Sequence, residues 1–226
     1  MLGQIRLQWW RDALGEIRRG DEPRRHPVVQ SLTAWMPAAG DTAFDLAMEL
    51  VNARERDLED APFATVNDLS AYAEATSSNL VRLGLLAAGV TETAAHDAAL
   101  AAGRAYALAG LVRAVPFHGA QGRVMLPVEL LARHGIADAR QSIGRRDPGK
   151  LKSVLTELAE IAERDLASAR ALRSLPKASR APLLVLPLAR LYLKRLRRAR
   201  FDLSEPRIDP GNAARIAALW RARFLA

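Results

Sequence analysis

Residues 103–127 carry the most information about the architecture, and they read GRAYALAGLVRAVPFHGAQGRVMLP. The first half is rich in alanine and leucine, which are strong helix formers. From Pro116 to Gly122 the chain is rich in residues that end helices and form turns. The stretch therefore predicts an apolar helix that ends near residue 113, a turn, and a further helix that starts at Pro127.

Helical patterns extend over nearly the whole chain. Apolar residues recur three and four positions apart, as in Leu69, Tyr72, Ala73 and Thr76, and no strand pattern is visible in the sequence. Turn-rich breaks separate nine predicted helices, at residues 4–19, 28–36, 42–58, 67–88, 92–113, 127–134, 149–174, 178–200 and 210–224. The sequence predicts an all-α protein with one domain over residues 1–226.

Composition narrows the class of protein further. The 226 residues are half hydrophobic, which is enough for one sizeable core. Cysteine is absent, so disulfides, thiolate metal sites and cysteine nucleophiles are excluded. No apolar run approaches the roughly 20 residues that span a bilayer, and no signal-peptide core follows Met1. We therefore expect a cytoplasmic protein that is soluble or peripheral on the inner membrane.

Three segments resemble the squalene/phytoene synthase family. Residues 5–14, IRLQWWRDAL, are similar to a tryptophan-pair helix common in its bacterial members. Residues 50–72 resemble the family's Asp-Leu segment and the helix after it, and residues 103–127 resemble its second aspartate-rich helix with the following Gly-Arg-x-x-Leu-Pro. The resemblance implies an isoprenoid-synthase-like helical bundle around a central apolar cavity. We expect the helices near 67–88 and 92–113 among the cavity walls, and we expect the family's first helix to be missing.

The acidic turn of that second helix is changed in this chain. In the family, an arginine is followed directly by two aspartates four residues apart, whereas here Arg113 is followed by Ala114 and His118. Magnesium prefers oxygen ligands, and alanine offers none. The resemblance therefore implies a chain without synthase activity and without a cofactor. Magnesium would be needed only if the chain were an active prenyltransferase that joins two prenyl diphosphates.

Four short motifs are together most similar to a divergent branch of the family, which includes a mitochondrial assembly factor for respiratory complex I. They are Tyr72-Ala73-Glu74, Ser77-Ser78, the changed turn at residues 113–119 and Leu126-Pro127. This resemblance implies an assembly or scaffold factor at the membrane, with subunits of a respiratory complex as partners. Two alternatives stay open. One is the active prenyl-diphosphate condensing transferase, and the other is a lipid-binding module that keeps the cavity and takes a prenyl or lipid ligand.

The candidate site residues lie near the changed turn or in the Asp-Leu segment. Asp57, Arg113 and His118 are candidates for a catalytic role, and Tyr72, Arg113 and Arg123 are candidates for substrate binding. Arg113 and Arg123 frame one predicted turn, and guanidinium groups match phosphate geometry. Arg123 is equally suited to tie the turn to backbone carbonyls. The sequence predicts no metal ligand set.

One pair of acidic residues imitates a magnesium motif. Asp41 and Asp45 are four residues apart and so share a helix face. They follow Gly40, however, at a position that suits the start of a helix, and we interpret Asp41 or Thr42 as the N-cap. Trp9, Trp10 and Trp35 are predicted to be core residues.

A cluster of basic residues lies at the C-terminal end of the helix predicted at residues 178–200. The chain has a formal net charge of +8, and excess positive charge attracts anionic partners. Sparse aromatic residues and the absence of a recognised motif argue against nucleic acid. The cluster is a candidate for contact with an anionic membrane surface. The other interpretation, which the helix dipole favours, is the solvated end of a core helix. The residues concerned are Lys194, Arg195, Arg197, Arg198 and Arg200.

Overall fold

The structure is a computed structural model that describes residues 1–137, 148–169, 175–205 and 208–224. Within these ranges the chain is helical and contains no strand, so the predicted all-α class is confirmed. The α-helices are α1 (Leu2–Arg19), α2 (Pro27–Thr33), α3 (Met36–Ala39), α4 (Asp41–Ala53), α5 (Val66–Ala73), α6 (Asn79–Ala87), α7 (Thr93–Ala120), α8 (Val128–Arg133), α9 (Pro148–Ser168), α10 (Val185–Arg198) and α11 (Gly211–Phe224). Short 3₁₀ segments cover Arg54–Leu58, Lys177–Arg180 and Pro182–Leu184.

The helix predicted at residues 67–88 is present, with one irregular turn inside it. α5 begins with a capping box in which Thr65 and Asp68 satisfy each other's backbone N–H groups. It continues through a π-helical segment, Glu74–Ser78, directly into α6. Within this segment the Ser78 hydroxyl donates to the Leu100 carbonyl of α7 at 2.7 Å. The irregular turn therefore lies at the contact with α7.

α7 is the central helix of the main hydrophobic core. It packs against α6, the π segment, α9 and α10, and its own buried residues are mostly small. A Cβ atom added at Gly103 would lie 2.3 Å from the Ser78 Cα, so only glycine permits this approach. Arg104 donates to Glu74 at 2.7 Å and to Asp165 of α9 at 3.1 Å. Small residues and this charged contact hold the neighbouring helices close to α7.

The predicted end of this helix near residue 113 is wrong, because α7 continues through Pro116 to Ala120. Proline removes the hydrogen bond to the carbonyl four residues earlier, at Val112. Val112 and Val115 are nevertheless buried, and their packing supports the helix across the proline. The extended α7 is also long and apolar enough to span a membrane by length and composition, with 56% of its apolar window buried inside the protein.

The N-terminal helices form a second hydrophobic cluster. Trp9, Trp10 and Trp35 are partly buried against it, as predicted for core aromatics. Beside the cluster lies a cleft of about 720 Å³, lined by residues of α1 to α4, the 3₁₀ segment Arg54–Leu58 and α6. The predicted apolar cavity therefore has α6 as a wall, but no residue of α7 lines it. This part of the prediction is wrong because α7 packs too closely on its neighbours to leave a space.

The predicted N-cap at Asp41 or Thr42 is also wrong. Gly40 is the N-cap of α4, and no side chain caps that end. Asp41 and Asp45 do share a face, and both accept hydrogen bonds from Arg18 of α1, at 2.5 and 3.3 Å. The pair therefore joins α1 to α4 through an arginine.

Two further helix boundaries differ from the prediction. α9 ends at Ser168, and residues 170–174 of the predicted helix lie outside the described ranges. The predicted helix at 178–200 starts as two 3₁₀ turns, with Pro182 in the second, and becomes α-helical only at Val185.

Candidate functional site

The centre of the candidate site is a hydrogen-bonded group formed by Tyr72, Asp57 and Arg54. The Tyr72 hydroxyl donates to Asp57 Oδ1 at 2.6 Å. Arg54 Nη1 donates to Asp57 Oδ2 at 3.0 Å and to the Tyr72 hydroxyl at 3.1 Å. Burial, reinforced by Asp57, raises the pKa of Tyr72 to about 12. Tyr72 therefore stays protonated near neutral pH and acts as a donor to the carboxylate.

Arg123 ties the segment after α7 to the same place. Its Nη2 donates to the backbone carbonyls of Asp57 and Glu59 at 2.9 and 3.0 Å. The sequence suggested two roles for Arg123, which were to bind a phosphate or to tie the turn to backbone carbonyls. The described contacts correspond to the second role. Because the guanidinium bridges two carbonyls, it fixes the 3₁₀ segment against the end of α7.

His118 lies on the last turn of α7 beside this group. Burial lowers the pKa of its imidazole, the charge of Arg123 lowers it further, and the charge of Asp57 opposes both. The Nδ1 atom is buried and has no hydrogen-bond partner. The lowered pKa therefore favours the neutral imidazole, and the Asp57 carboxylate that opposes this shift is already held by Tyr72 and Arg54.

Arg113 belongs to a different cluster. Its Nη1 lies 3.5 Å from Asp209 Oδ1, and its guanidinium lies over the Tyr192 ring at 4.5 Å from the centroid. Arg215 of α11 donates to the same Asp209 oxygen at 2.6 Å. Arg113 and His118 lie five residues apart on α7, so their side chains leave the helix in directions about 140° apart. Because α7 does not end between them, Arg113 and Arg123 do not frame one phosphate site.

These contacts do not fit a magnesium cluster. Asp57 is engaged by a tyrosine and an arginine, Ala114 has no ligand atom, and His118 presents nitrogen to a cation that prefers oxygen. Across the described ranges no group of three His, Asp or Glu side chains is placed to hold a metal ion.

The cleft was not predicted at this position from the sequence, and Arg54 was missed as a site residue. Asp57 and Arg54 lie at one edge of the cleft, and the rest of the lining is mainly aliphatic and aromatic. Arg6 also lines it and makes no hydrogen bond or ion pair with any described residue. The sequence signal for Arg54 was its position three residues before Asp57 on one helical face.

Comparison with known proteins defines the class. The family described as Squalene/phytoene synthase matches residues 1–213, so the chain belongs to that family. A dehydrosqualene synthase solved with a ligand superposes with a TM-score of 0.80 at 17% identity, covering 97% of this chain and 77% of that one. A squalene synthase from Alicyclobacillus acidocaldarius gives a TM-score of 0.76 at 20% identity, covering 86% and 73%. At these identities the structures show the fold alone.

Sequence relatives place the chain in the divergent branch. It is 29% identical over 229 residues to "NADH dehydrogenase (ubiquinone) complex I, assembly factor 6" of Rattus norvegicus, covering 99% of this chain and 68% of the relative. The Bos taurus protein of the same name is 28% identical over 228 residues, with the same coverage. The Drosophila melanogaster homolog is 31% identical over 208 residues, covering 90% and 62%. The predicted family and branch are both confirmed.

Proposed function

We propose that this chain is a non-catalytic member of the squalene/phytoene synthase family that acts as an assembly or scaffold factor for respiratory complex I. The observation that carries the proposal is the likeness to the assembly factors, which extends over 99% of this chain. The site agrees with a non-catalytic role, because its acidic side chain at Asp57 is held in structural contacts. Its partners would be subunits of the respiratory complex that it helps to assemble.

A reaction of prenyl diphosphates requires charge neutralisation at the leaving group. Removing electrostatic stabilisation of this kind costs a large share of catalysis. The candidate site offers no set of carboxylates for that task, and the proposal accordingly includes no cofactor. The family's condensation reaction is therefore disfavoured as the activity of this chain.

The test has two parts, chosen so that enzyme and scaffold give opposite results. Purified protein is incubated with labelled farnesyl or geranylgeranyl diphosphate and magnesium, and we expect no squalene, phytoene or presqualene diphosphate. Deletion of the gene is expected to lower assembled complex I activity and to leave isoprenoid products unchanged. Turnover in the first part, or altered isoprenoids with normal complex I in the second, would support the prenyltransferase instead.

A second candidate function is favoured by the cleft. A space of about 720 Å³ with aliphatic and aromatic walls is large enough for part of a lipid or prenyl chain. Exposed apolar residues continue from its lining to the surface, namely Val28, Leu58 and Leu80. A lipid-binding module is compatible with the scaffold role, since the lipid would then be a structural ligand.

Native mass spectrometry of the purified chain, followed by solvent extraction, tests this second candidate. We expect a co-purified lipid or a fluorescent prenyl probe to occupy the wild-type cleft. Ala87→Phe adds a ring to the cleft lining and should displace the probe, whereas Ala120→Phe, at the end of α7 and outside the cleft, should not. Equal probe binding by both variants would reject the cleft as the binding site.

A further inference from the structure

The positive charge of this chain is concentrated in one segment. Residues 166–201 contain ten Lys and Arg and neither Asp nor Glu. The other 23 of the 33 Lys and Arg share the rest of the sequence with all 25 Asp and Glu. Outside residues 166–201 the chain therefore carries a slight negative formal charge, and the net charge of +8 comes from this segment. A charge segregated in this way creates a local field and not a diffuse one.

α10 presents part of this charge outward as a continuous row. Arg190, Lys194 and Arg198 are exposed and follow one another at intervals of four residues. With a rise of 1.5 Å per residue they extend over about 12 Å along one side of the helix. None of the three makes a side-chain hydrogen bond or ion pair within the described ranges. We call these three residues the basic row.

Other cations of α10 are already engaged inside the protein. Arg197 donates to both carboxylate oxygens of Glu163 in α9, at 2.6 and 2.5 Å, and its guanidinium lies over the Phe201 ring. Arg195 is partly buried and also has an interaction partner. Of the five cations expected from the sequence to contact a membrane, Arg195 and Arg197 therefore serve the fold. The basic row keeps Lys194 and Arg198 and adds Arg190, whereas Arg200 is exposed but lies beyond the end of α10 and outside the row.

Two aliphatic side chains with exposed surface accompany the basic row. Leu191 is partly exposed and lies seven residues before Arg198, which places it on the same side of the helix. Leu184, in the 3₁₀ turn that leads into α10, is 36% exposed. The row itself contains no aromatic residue on which a base could stack. Cations with adjacent aliphatic side chains match a surface of anionic headgroups above acyl chains.

We propose that the basic row docks this protein on an anionic lipid bilayer, with α10 lying along the membrane surface. Charge complementarity carries the proposal, because three free cations in a row meet headgroup phosphates without having to break any internal ion pair. The proposal goes beyond the assembly role and stands without it, since it depends on the charges of this chain and not on its relatives.

Sedimentation with vesicles tests the docking surface on the full chain. We expect the wild type to bind vesicles of phosphatidylcholine with phosphatidylglycerol at low salt and not to bind phosphatidylcholine alone. Binding should weaken as salt shortens the screening length to about 8 Å at physiological ionic strength. Lys194→Glu with Arg198→Glu should lower the partition coefficient by roughly 30-fold or more, because each basic residue near an anionic surface strengthens binding several-fold.

The matched control changes the same amount of charge elsewhere. Arg25 and Arg82 lie in the N-terminal half and make no hydrogen bond or ion pair with described residues. Arg25→Glu with Arg82→Glu should keep most of the vesicle binding. An equal loss in this control would show that only total charge matters and would overturn the docking surface.

Three further results complete the test. Circular dichroism and thermal melting test whether the variants fold. If Lys194→Glu with Arg198→Glu does not fold, Lys194→Gln with Arg198→Gln removes the same two charges with a milder change. A wild type that stays in the supernatant with anionic vesicles at low salt would overturn the proposal. Binding to duplex DNA at the same salt, with the same dependence on Lys194 and Arg198 and no vesicle binding, would assign the basic row to nucleic acid instead.

Discussion

α7 and the N-terminal hydrophobic cluster present side chains of different size at their contacts, and they pack differently. Around α7 the buried positions are largely alanine, with Gly103 at the closest contact, and no residue of that helix lines the cleft. In the N-terminal cluster the partly buried side chains are mostly tryptophan and leucine, and a cleft of about 720 Å³ lies beside them. Small residues allow helices to pack closely with no space between them, whereas the large side chains of the N-terminal cluster border an open cleft.

The two regions meet at Tyr72 and Asp57. The Tyr72 ring packs against the main core and lies 5.3 Å from Phe63, while Asp57 lines the cleft. Their hydrogen bond therefore connects the closely packed region to the open one. A ligand in the cleft would contact the less densely packed side, and the α7 core would keep its geometry.

The largest expected effect is on the free energy of unfolding, and it comes from truncating one leucine to alanine in each region. Leu108 of α7 is fully buried in the main core, whereas Leu83 is partly buried at the cleft. Leu108→Ala should lower the free energy of unfolding by about 3 to 5 kcal/mol, because a cavity forms in a closed core. Leu83→Ala should cost about 1 kcal/mol or less, since the leucine already borders open space. Urea denaturation measures both, and similar losses would contradict the packing difference.

The next effect uses two glycines of the same helix. A Cβ at Gly103 would collide with the Ser78 backbone, whereas at Gly110 nothing lies within 4 Å of it. Gly103→Ala should destabilise the protein by about 2 kcal/mol or more, since the π segment must move. Gly110→Ala should stabilise it by about 0.5 to 1 kcal/mol through helix propensity. Thermal melting compares the pair, and a neutral Gly103→Ala would show that α7 is less tightly packed than described.

A smaller effect is expected where the regions join. Tyr72→Phe keeps the ring in the core and removes the hydroxyl, which donates to Asp57 and accepts from Arg54. We expect a loss of about 1 to 2 kcal/mol in the free energy of unfolding, since each hydrogen bond usually contributes about 1 kcal/mol net. Phe63→Leu, which keeps both hydrogen bonds and alters only the ring contact, is the packing control. Unchanged stability in Tyr72→Phe would mean that these hydrogen bonds do not connect the two regions energetically.

The smallest effect concerns pH at the end of α7. Burial and Arg123 hold the pKa of His118 below its ordinary value, so the unfolded chain binds a proton there at a pH where the folded chain does not. The contribution of His118 to stability is therefore complete above about pH 6.5, the unfolded pKa. It is lost as the pH falls through the lowered folded value.

His118→Asn should reduce the loss of thermal stability between pH 7.5 and pH 5 relative to the wild type. Melting curves of both proteins at the two pH values measure the difference. Parallel pH profiles would show that His118 is as solvated in the folded protein as in the unfolded chain.

Much of the local structure follows from residues close together in sequence. The helix predicted at 67–88 from its apolar spacing is present as α5, the π-helical segment and α6, because that spacing is a local signal. The Thr65–Asp68 capping box at its start is likewise formed by residues close in sequence. The end of α7 was mispredicted because Pro116 and Gly122 are strong local signals for a turn, and burial of Val112 and Val115 overrode them. Local patterns carry no information about that burial.

The candidate site was only partly predictable for the same reason. Asp57, Tyr72, His118 and Arg123 were singled out individually and are indeed brought together, whereas Arg113 was grouped with them and belongs with Asp209 and Tyr192. The membrane candidates Arg195 and Arg197 were indistinguishable in sequence from Lys194 and Arg198. Only their contacts, including Glu163 on another helix, separate them.

The sequence by itself determined the helical class, the family, and the replacement of two carboxylates by Ala114 and His118. These follow from residue types, their spacing and their order. The tertiary structure alone decided the position of the cleft, the separation of Arg113 from Arg123, and which cations remain free on α10. The physical reason is that these properties depend on how closely helices distant in sequence approach, and that distance is set by side-chain volumes on both surfaces at once.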